Sequence, residues 1–153
     1  MLDHIKITFK AYCLLIPLFI LQSCSIYLPN EDNFFDLHTE KKINQRLKQG
    51  FIKVKEGMTS QTVSQSYEEV TIVYQVNPKK GCVVAIQAFF ENLNTKVKIE
   101  NWVKKSGVRM MYINGFSIGK PFLIDDLKDG GSYMCELKKD GTLQLTRSYL
   151  SCQ

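Results

Sequence analysis

The sequence predicts an all-β fold, an antiparallel β-sandwich with a short N-terminal helix. Three observations support this prediction. From Phe51 onward, apolar residues alternate with polar ones or form short runs rich in Val, Ile, Thr, Tyr and Phe. The gaps between these runs contain Gly, Asn, Asp and Pro, the residues that form turns. The spacing gives seven or eight short strands, which is typical of a sandwich.

Each expected strand is a short apolar or alternating run that ends at a turn signal. The strands are expected at 51–55, 69–76, 82–90, 96–103, 108–113, 116–118 with 122–124, 132–137 and 142–150. Asn114-Gly115 and Asp140-Gly141 are the strongest hairpin signals, because both residues of such pairs tolerate positive φ.

One short helix is expected before the strands. In the segment 37–49, Leu37, Ile43 and Leu47 are separated by polar residues, and Gly50 follows where a helix would end. We therefore expect residues 26–50 to be a lead-in with a short helix and residues 51–153 to be the β-sandwich domain.

The first 25 residues have the pattern of a signal peptide. Lys6 and Lys10 precede an apolar run, 11–21, which ends at the small residues of Ser23-Cys24-Ser25. The apolar run is shorter than the about 20 residues that a membrane-spanning helix needs. We expect cleavage between Ser25 and Ile26, which gives a secreted, extracellular product without a transmembrane segment.

The same stretch permits a second interpretation. Residues 21–24, LQSC, are similar to a bacterial lipobox, in which Cys24 would carry several acyl chains and hold the protein on a membrane. Gln22 is unusual at such a site, and the three further cysteines suit a disulfide-forming secretory route. An envelope lipoprotein anchored at Cys24 therefore remains an alternative to secretion.

Charge and motifs give little support for nucleic-acid binding or catalysis. The 20 Lys and Arg against 15 Asp and Glu are scattered along the chain rather than gathered into the stripe of a nucleic-acid-binding protein. His38 is the one histidine left after signal removal, and we expect it on the surface. Asp125 and Asp126 are neighbours in an expected strand or turn and would point to opposite faces. We expect no catalytic residue, no metal ligand, no cofactor and no enzymatic activity.

The three cysteines after the signal, Cys82, Cys135 and Cys152, are disulfide candidates, and three thiols cannot all pair within one chain. A bond between Cys82 and Cys135 would close a loop of about fifty residues, to which loop entropy assigns roughly 4 kcal/mol. Cys152 is free, bonds to one of the other two, or links two chains in a disulfide-linked dimer.

The segment 69–93, EVTIVYQVNPKKGCVVAIQAFFENL, resembles the prolactin-inducible protein and seminal vesicle antigen family. That family has a Val-rich strand opening with Glu-Val-Thr, then a polar turn, then Cys, two apolar residues and a second strand. Glu69, Val70, Thr71 and Cys82 stand at the matching positions. The resemblance implies a secreted, non-enzymatic sandwich of exocrine or seminal fluid. It also implies binding to a protein or cell-surface partner, with lipid as one candidate.

Residues 129–135, DGGSYMC, are similar to the tyrosine-corner motif of immunoglobulin domains. In this resemblance Tyr133 is the corner tyrosine, and Cys135 is the second cysteine. Cys82 is then the first cysteine, and Trp102 is the core tryptophan. The resemblance implies an immunoglobulin-like form of the sandwich, with Trp102 and Tyr133 in its core. It also implies an immune-type recognition module as the alternative function.

Overall fold

A computed structural model describes residues 28–55, 58 and 61–152 of the chain. The predicted signal peptide, its cleavage site between Ser25 and Ile26, and the alternative lipid anchor at Cys24 all lie outside these residues. In the part of the chain that the structure covers, no helix is long and apolar enough to cross a membrane.

The described chain begins with short helices and continues as a β-rich region that contains one longer helix. The helices are α1 (Phe34–Leu37), α2 (Glu40–Lys48) and α3 (Lys96–Ser106), and a 3₁₀ turn covers Leu150–Cys152. The strands are β1 (Gln61–Ser66), β2 (Val70–Asn77), β3 (Cys82–Phe90), β4 (Arg109–Met111), β5 (Pro121–Asp126), β6 (Gly131–Leu137) and β7 (Leu143–Ser148). The prediction of an antiparallel, strand-rich fold is confirmed.

The seven strands lie in one hydrogen-bonded sheet in the order β1-β2-β3-β7-β6-β5-β4, with antiparallel pairing throughout. Two runs of sequential hairpins, β1 to β3 and β4 to β7, meet where β3 pairs with β7 from Ala85↔Ser148 to Phe90↔Leu143. We call the end of the sheet where β3 stops the Phe90 end. The end where β3 starts is the Cys82 end.

One face of the sheet is packed against the helices. Along β2 the buried side chains alternate with partly exposed ones, and β6 and β7 follow the same period of two. The helices add Phe34, Phe35, Ile43, Leu47 and Trp102 to the same core. The residues 26–50, expected to be a lead-in, thus supply part of the core of the β domain. Trp102 and Tyr133, both expected in the core, are buried there.

Residues 96–103, expected to be a strand, are instead part of helix α3. The Thr95 hydroxyl accepts a hydrogen bond from the Lys98 amide at 3.3 Å and caps the first turn. Ile99, Trp102 and Val103 are buried at the i, i+3 and i+4 spacing of one helical face. Gly107, with φ of +69°, ends the helix in the left-handed conformation. The β-branched residues of 96–103 favour a strand locally, but the burial of this face outweighs that preference.

The segment 51–55 is likewise not a strand, and β1, which lies outside the predicted strands, forms the edge of the sheet. The Gln65 side chain donates to the Phe51 carbonyl at 2.8 Å. The Gln61 side chain accepts from the Lys55 amide at 3.2 Å and donates to the Lys55 carbonyl at 3.3 Å. Side-chain amides therefore connect 51–55 to β1. The predicted helix at 37–49 corresponds to α2, which Thr39 caps, with α1 before it.

Candidate binding surface

His38 is a buried residue, and the expectation of a surface histidine is wrong. It follows α1 and stacks on the ring of Phe34 with 4.4 Å between centroids. Its Nδ1 donates to the Phe34 carbonyl at 2.6 Å, and Nε2 lies 3.4 Å from the hydroxyl of Tyr74. Desolvation by burial lowers the pKa of His38 from 6.5 to about 3, so the imidazole is neutral at physiological pH.

A buried polar cluster joins the α1–α2 connection to the sheet. The Tyr149 hydroxyl donates to the His38 carbonyl at 2.7 Å, and the Tyr133 hydroxyl lies 3.4 Å from the same oxygen. Arg147 lies over the rings of both tyrosines and donates to the Asp129 carboxylate at 2.5 Å and to the Tyr133 hydroxyl at 3.3 Å. Burial raises the pKa of Tyr133 to about 12. These groups are bonded to one another and fasten α1 and α2 to β6 and β7.

The position of Tyr133 differs from that of a tyrosine corner. In immunoglobulin domains the corner hydroxyl bonds to backbone a few residues upstream. Here the hydroxyl of Tyr133 bonds to the backbone of His38, 95 residues earlier in the chain. The resemblance in 129–135 therefore reflects the turn at 127–130 and a strand with a buried tyrosine, rather than this motif.

The disulfide pairs Cys82 with Cys152, whose Cα atoms are 5.8 Å apart. Cys135 is free and buried in β6, where desolvation raises the pKa of its thiol. The Cys82–Cys135 bond that the immunoglobulin resemblance requires is therefore not formed, since Cys82 has a different partner. Cys152 is bonded within the chain, so a dimer linked through Cys152 would first require this bond to open.

The two neighbouring aspartates of β5 point to opposite faces. Asp125 accepts hydrogen bonds from Arg109 at 2.9 Å and from the Ser132 hydroxyl at 2.7 Å, and these bonds hold its pKa below the usual value. Asp126 is buried on the helical side and accepts from the Lys128 amide at 3.1 Å. Within the described ranges, no group of three or more His, Cys, Asp or Glu side chains is placed to hold a metal ion.

The face of the sheet opposite the helices is the candidate binding surface. Its middle row, read across the sheet by the strand register, contains Ser64, Val73, Gln87, Thr146, Met134, Leu123 and Met111. Two parallel rows of side chains flank it towards the Phe90 and Cys82 ends and contain hydroxyl and amide groups, among them Thr62, Gln75 and Gln144. We call these three rows the open face.

The open face is broad and nearly neutral. It contains two adjoining depressions of about 560 and 430 Å³, which share Thr146 and Ser148. Met134, at the centre, is 54 % exposed. The charged side chains of the rows are paired, Asp125 with Arg109 at 2.9 Å and Glu136 with Lys138 at 2.7 Å. The surface thus offers apolar and uncharged polar groups to an occupant.

The open face has a signal in the sequence, in the kind of polar residue on its strands. The alternate positions of β2, β3 and β7 that point away from the core contain Gln75, Gln87, Gln144 and Thr146 rather than charged residues. The solvent-facing side of a strand favours polar residues of any kind. Uncharged polar residues on adjacent strands therefore mark a face that loses its water at a lower cost in free energy than a charged face would.

In comparisons with known proteins, the chain matches no protein-family model, no curated protein and no solved structure.

Proposed function

We propose that the protein is a secreted, non-enzymatic binding protein whose open face binds a partner protein at a cell surface. The observation that carries this proposal is the open face itself. It is a seven-strand surface with paired charges and an exposed Met134 at its centre.

The size of the open face supports a protein as the occupant. Six strand spacings of about 4.8 Å make it about 29 Å wide, and three rows of side chains spaced about 7 Å apart make it about 20 Å long. The resulting area, about 600 Å², approaches the about 800 Å² that one partner contributes to a standard protein–protein interface. The depressions adjoin each other and are only partly enclosed, which suits a surface contact better than an enclosed small molecule.

The bonding of the ionisable groups supports a non-enzymatic role. His38, Asp129 and Arg147 are bonded to backbone, tyrosine hydroxyls or each other in the buried cluster. A general acid or base needs a pKa near the working pH, whereas burial lowers the pKa of His38 to about 3.

Secretion and the exocrine or seminal setting rest on the sequence. Residues 1–25 have the signal-peptide pattern. The segment 69–93, which resembles the prolactin-inducible protein and seminal vesicle antigen family, forms β2, a polar turn and β3, the strand–turn–strand order of that family. The disulfide between Cys82 and Cys152 suits an oxidising compartment.

A cell-binding experiment tests the proposal. Fluorescently labelled protein is titrated onto cultured glandular epithelial cells and washed sperm, with and without prior trypsin treatment of the cells. We expect saturable binding that trypsin removes. Met134→Lys should weaken this binding at least tenfold, because it places an unpaired charge at the centre of the contact.

Leu127→Lys is the matched control, since Leu127 is 64 % exposed and lies in the turn after β5, outside the open face. It should bind as the unchanged protein does. The proposal is overturned if binding is not saturable, if it survives trypsin, or if Met134→Lys and Leu127→Lys weaken it equally.

The lipoprotein alternative differs in one measurable property, the N-terminus of the exported chain. Mass spectrometry should find a chain that starts at Ile26 if the signal peptide is removed. A chain that starts at an acylated Cys24 would replace secretion by membrane anchoring and leave the open-face proposal intact. The immunoglobulin-type module is less well supported, because Cys82 and Tyr133 have other partners than that fold requires.

A further inference from the structure

The two edge strands of the sheet differ in the features that prevent pairing with another molecule. Edge strands that stay unpaired are typically short, carry charges, or are interrupted by proline or a bulge. β4 has three residues, the first of which is Arg109. β1 has six residues, Gln61–Ser66, with no charged residue, no proline and no register shift against β2. β1 therefore lacks these protections. We call the side of β1 that faces away from β2 the outer edge.

The backbone groups of three residues point to the outer edge. The Tyr67 amide donates to the Val70 carbonyl at 2.8 Å, at the position that follows the last listed pair of β1 with β2. Opposite residues of an antiparallel pair alternate between those that exchange hydrogen bonds and those that do not. The amides and carbonyls of Thr62, Ser64 and Ser66 therefore point away from β2. In the part of the chain that the structure describes, no strand pairs with this side of β1.

The segment 51–55 contacts a face of β1 and not its outer edge. The contacts run through the side chains of Gln61 and Gln65. These side chains lie on the helical side of the sheet, because the residues opposite them on β2, Val76 and Ile72, are buried there. The hydrogen bonds between 51–55 and β1 therefore leave the outward amides and carbonyls unused.

The outer edge is complementary to a second copy of itself. When Ser64 lies antiparallel to Ser64 of a second copy, Thr62 lies opposite Ser66, and Val63 lies opposite Gln65. The pairs formed by residues 62, 64 and 66 are then all of the hydrogen-bonded type, which gives about six backbone bonds. Opposite residues also share a face of the joined sheet, so the hydroxyl side chains meet on the side of the open face, where they can bond across the strands.

The charges beside the two ends of β1 favour a second copy as the occupant. Lys55 is exposed and lies beside the start of β1, since its amide and carbonyl bond to the Gln61 side chain. Glu68, also exposed, follows the end of β1. Within the described residues, neither takes part in an ion pair. Antiparallel pairing places the start of each β1 at the end of the other, so each Lys55 lies near Glu68 of the other copy. A two-fold axis supplies this match twice.

We propose that the outer edge of β1 pairs with β1 of a second copy about a two-fold axis at Ser64, which joins the two sheets into one. The contact is about 20 Å long and about 10 Å deep. This area is well below the about 800 Å² per partner of a standard interface, so the dimer is reversible and depends on concentration. The inference goes beyond the proposed function and does not depend on secretion or on the partner protein. It sets two open faces side by side on one surface.

Sedimentation equilibrium of the exported chain from about 10 µM to about 1 mM, a range suited to a small interface, tests the proposal. We expect an equilibrium between monomer and dimer. Ser64→Lys should raise the dissociation constant at least tenfold, because it places two ammonium groups opposite each other at the axis. Met134→Lys is the matched control, on β6 of the same face, and should change the constant less than twofold. The circular dichroism spectrum and urea midpoint show whether each variant is folded.

An exchange of charges tests the antiparallel orientation. Lys55→Glu and Glu68→Lys should each weaken the dimer about threefold at low salt, since each replaces two attractive pairs by repulsive ones. The double variant should dimerise as the original protein does, because the pairs are restored with reversed sign. A double variant weaker than either single variant would contradict the two-fold pairing.

Cross-linking locates the axis. Ser64→Cys should be joined into dimers by a short bismaleimide, because opposite Cα atoms of a hydrogen-bonded pair are about 5.5 Å apart. Met134→Cys should not, since nine strand spacings separate the two copies of residue 134 by about 43 Å. The free Cys135 is buried in both variants.

Three outcomes overturn the proposal. The first is a chain that stays monomeric up to about 1 mM, including the case in which Ser64→Lys weakens cell binding, because the edge would then receive a strand of another protein. The second is an equal loss of dimer in Ser64→Lys and Met134→Lys, which would place the contact on the open face. The third is equal cross-linking of the two cysteine variants.

Discussion

Burial and hydrogen bonding, rather than residue type, decide the chemistry of His38. A histidine in the connection after α1 would titrate near neutrality if it faced water. Its ring is instead covered by Phe34 and Tyr74, and its Nδ1 proton is held by a carbonyl. The helix predicted at 37–49 includes His38, but the sequence does not indicate that this side chain turns inward, since that depends on the placement of β2.

The pKa of His38 predicts a dependence of stability on pH. In the unfolded chain His38 gains a proton below about pH 6.5, whereas in the folded protein it stays neutral down to about pH 3. The unfolded state therefore binds more protons in this window, and the free energy of unfolding falls as the pH is lowered through it, by up to about 1.4 kcal/mol per pH unit.

His38→Gln keeps a donor for the Phe34 carbonyl but does not titrate. Urea unfolding at pH 7, 6, 5 and 4 gives the free energy of unfolding of the original protein and of this variant. Between pH 6 and 4 the value for the original protein should fall more steeply, by up to about 1.4 kcal/mol per pH unit. Parallel slopes would contradict the assignment of a buried neutral histidine. The pKa values of Asp125 and Asp140 are also lowered, so these residues add their own dependence of stability on pH. They do not affect the comparison, because the original protein and the variant both contain them.

At the scale of elements, local sequence predicted the hairpin formed by β2 and β3 well. β2 and β3, with the turn between them, agree with the expected 69–76 and 82–90 to within a residue. Helix α3 was missed because Val97, Ile99 and Val103 are β-branched and partly alternate. Its cap at Thr95 and its end at Gly107 were the available signals.

The edge of the sheet was missed for a different reason. β1, QTVSQS, has a single aliphatic residue, so its strand character comes from pairing with β2 and not from hydrophobic alternation. The more apolar 51–55 was the better candidate by composition, yet it contacts β1 through glutamine side chains. Propensity for strands depends on context, and pairing with an adjacent strand outweighs it here.

The disulfide fastens the 3₁₀ turn to the start of β3 and closes a loop of 70 residues. Its removal in Cys152→Ser should lower the free energy of unfolding by roughly 4 kcal/mol, the loop-entropy contribution for this length. Urea unfolding measures the loss, and Cys82→Ser should show the same value. The double variant should be no worse than either single variant, since both remove one bond; an additive loss would contradict this pairing.

At the scale of the whole molecule, the helical segment and the sheet share one hydrophobic core. Phe34 contacts the rings of Phe90, Trp102 and Tyr133, which come from three other parts of the chain. The boundary expected at residue 50 therefore does not separate two cores, because residues on both sides of it pack into the same one. The open face, in contrast, depends on the sheet register and could not be located before the strand order was known.

A deletion tests this unity. A chain that starts at Phe51 lacks Phe34, Phe35, Ile43 and Leu47 and leaves the helical side of the sheet uncovered. We expect it to show no cooperative urea transition. A chain that starts at Ile26 is the reference and should unfold in one cooperative transition. A cooperative transition of the shorter chain near that midpoint would show that the sheet is stable alone.

The pairing of β3 with β7 also has a consequence for the biosynthesis of the chain. β3 is complete by Phe90, but its second neighbour, β7, is not made until Ser148. During synthesis from the N-terminus, the middle of the sheet thus stays open until nearly all of the chain has been made, and the early hairpins have no partner to stabilise them. The chain therefore stays unfolded until its synthesis is nearly complete. An unfolded polypeptide is the form that passes through a translocation channel.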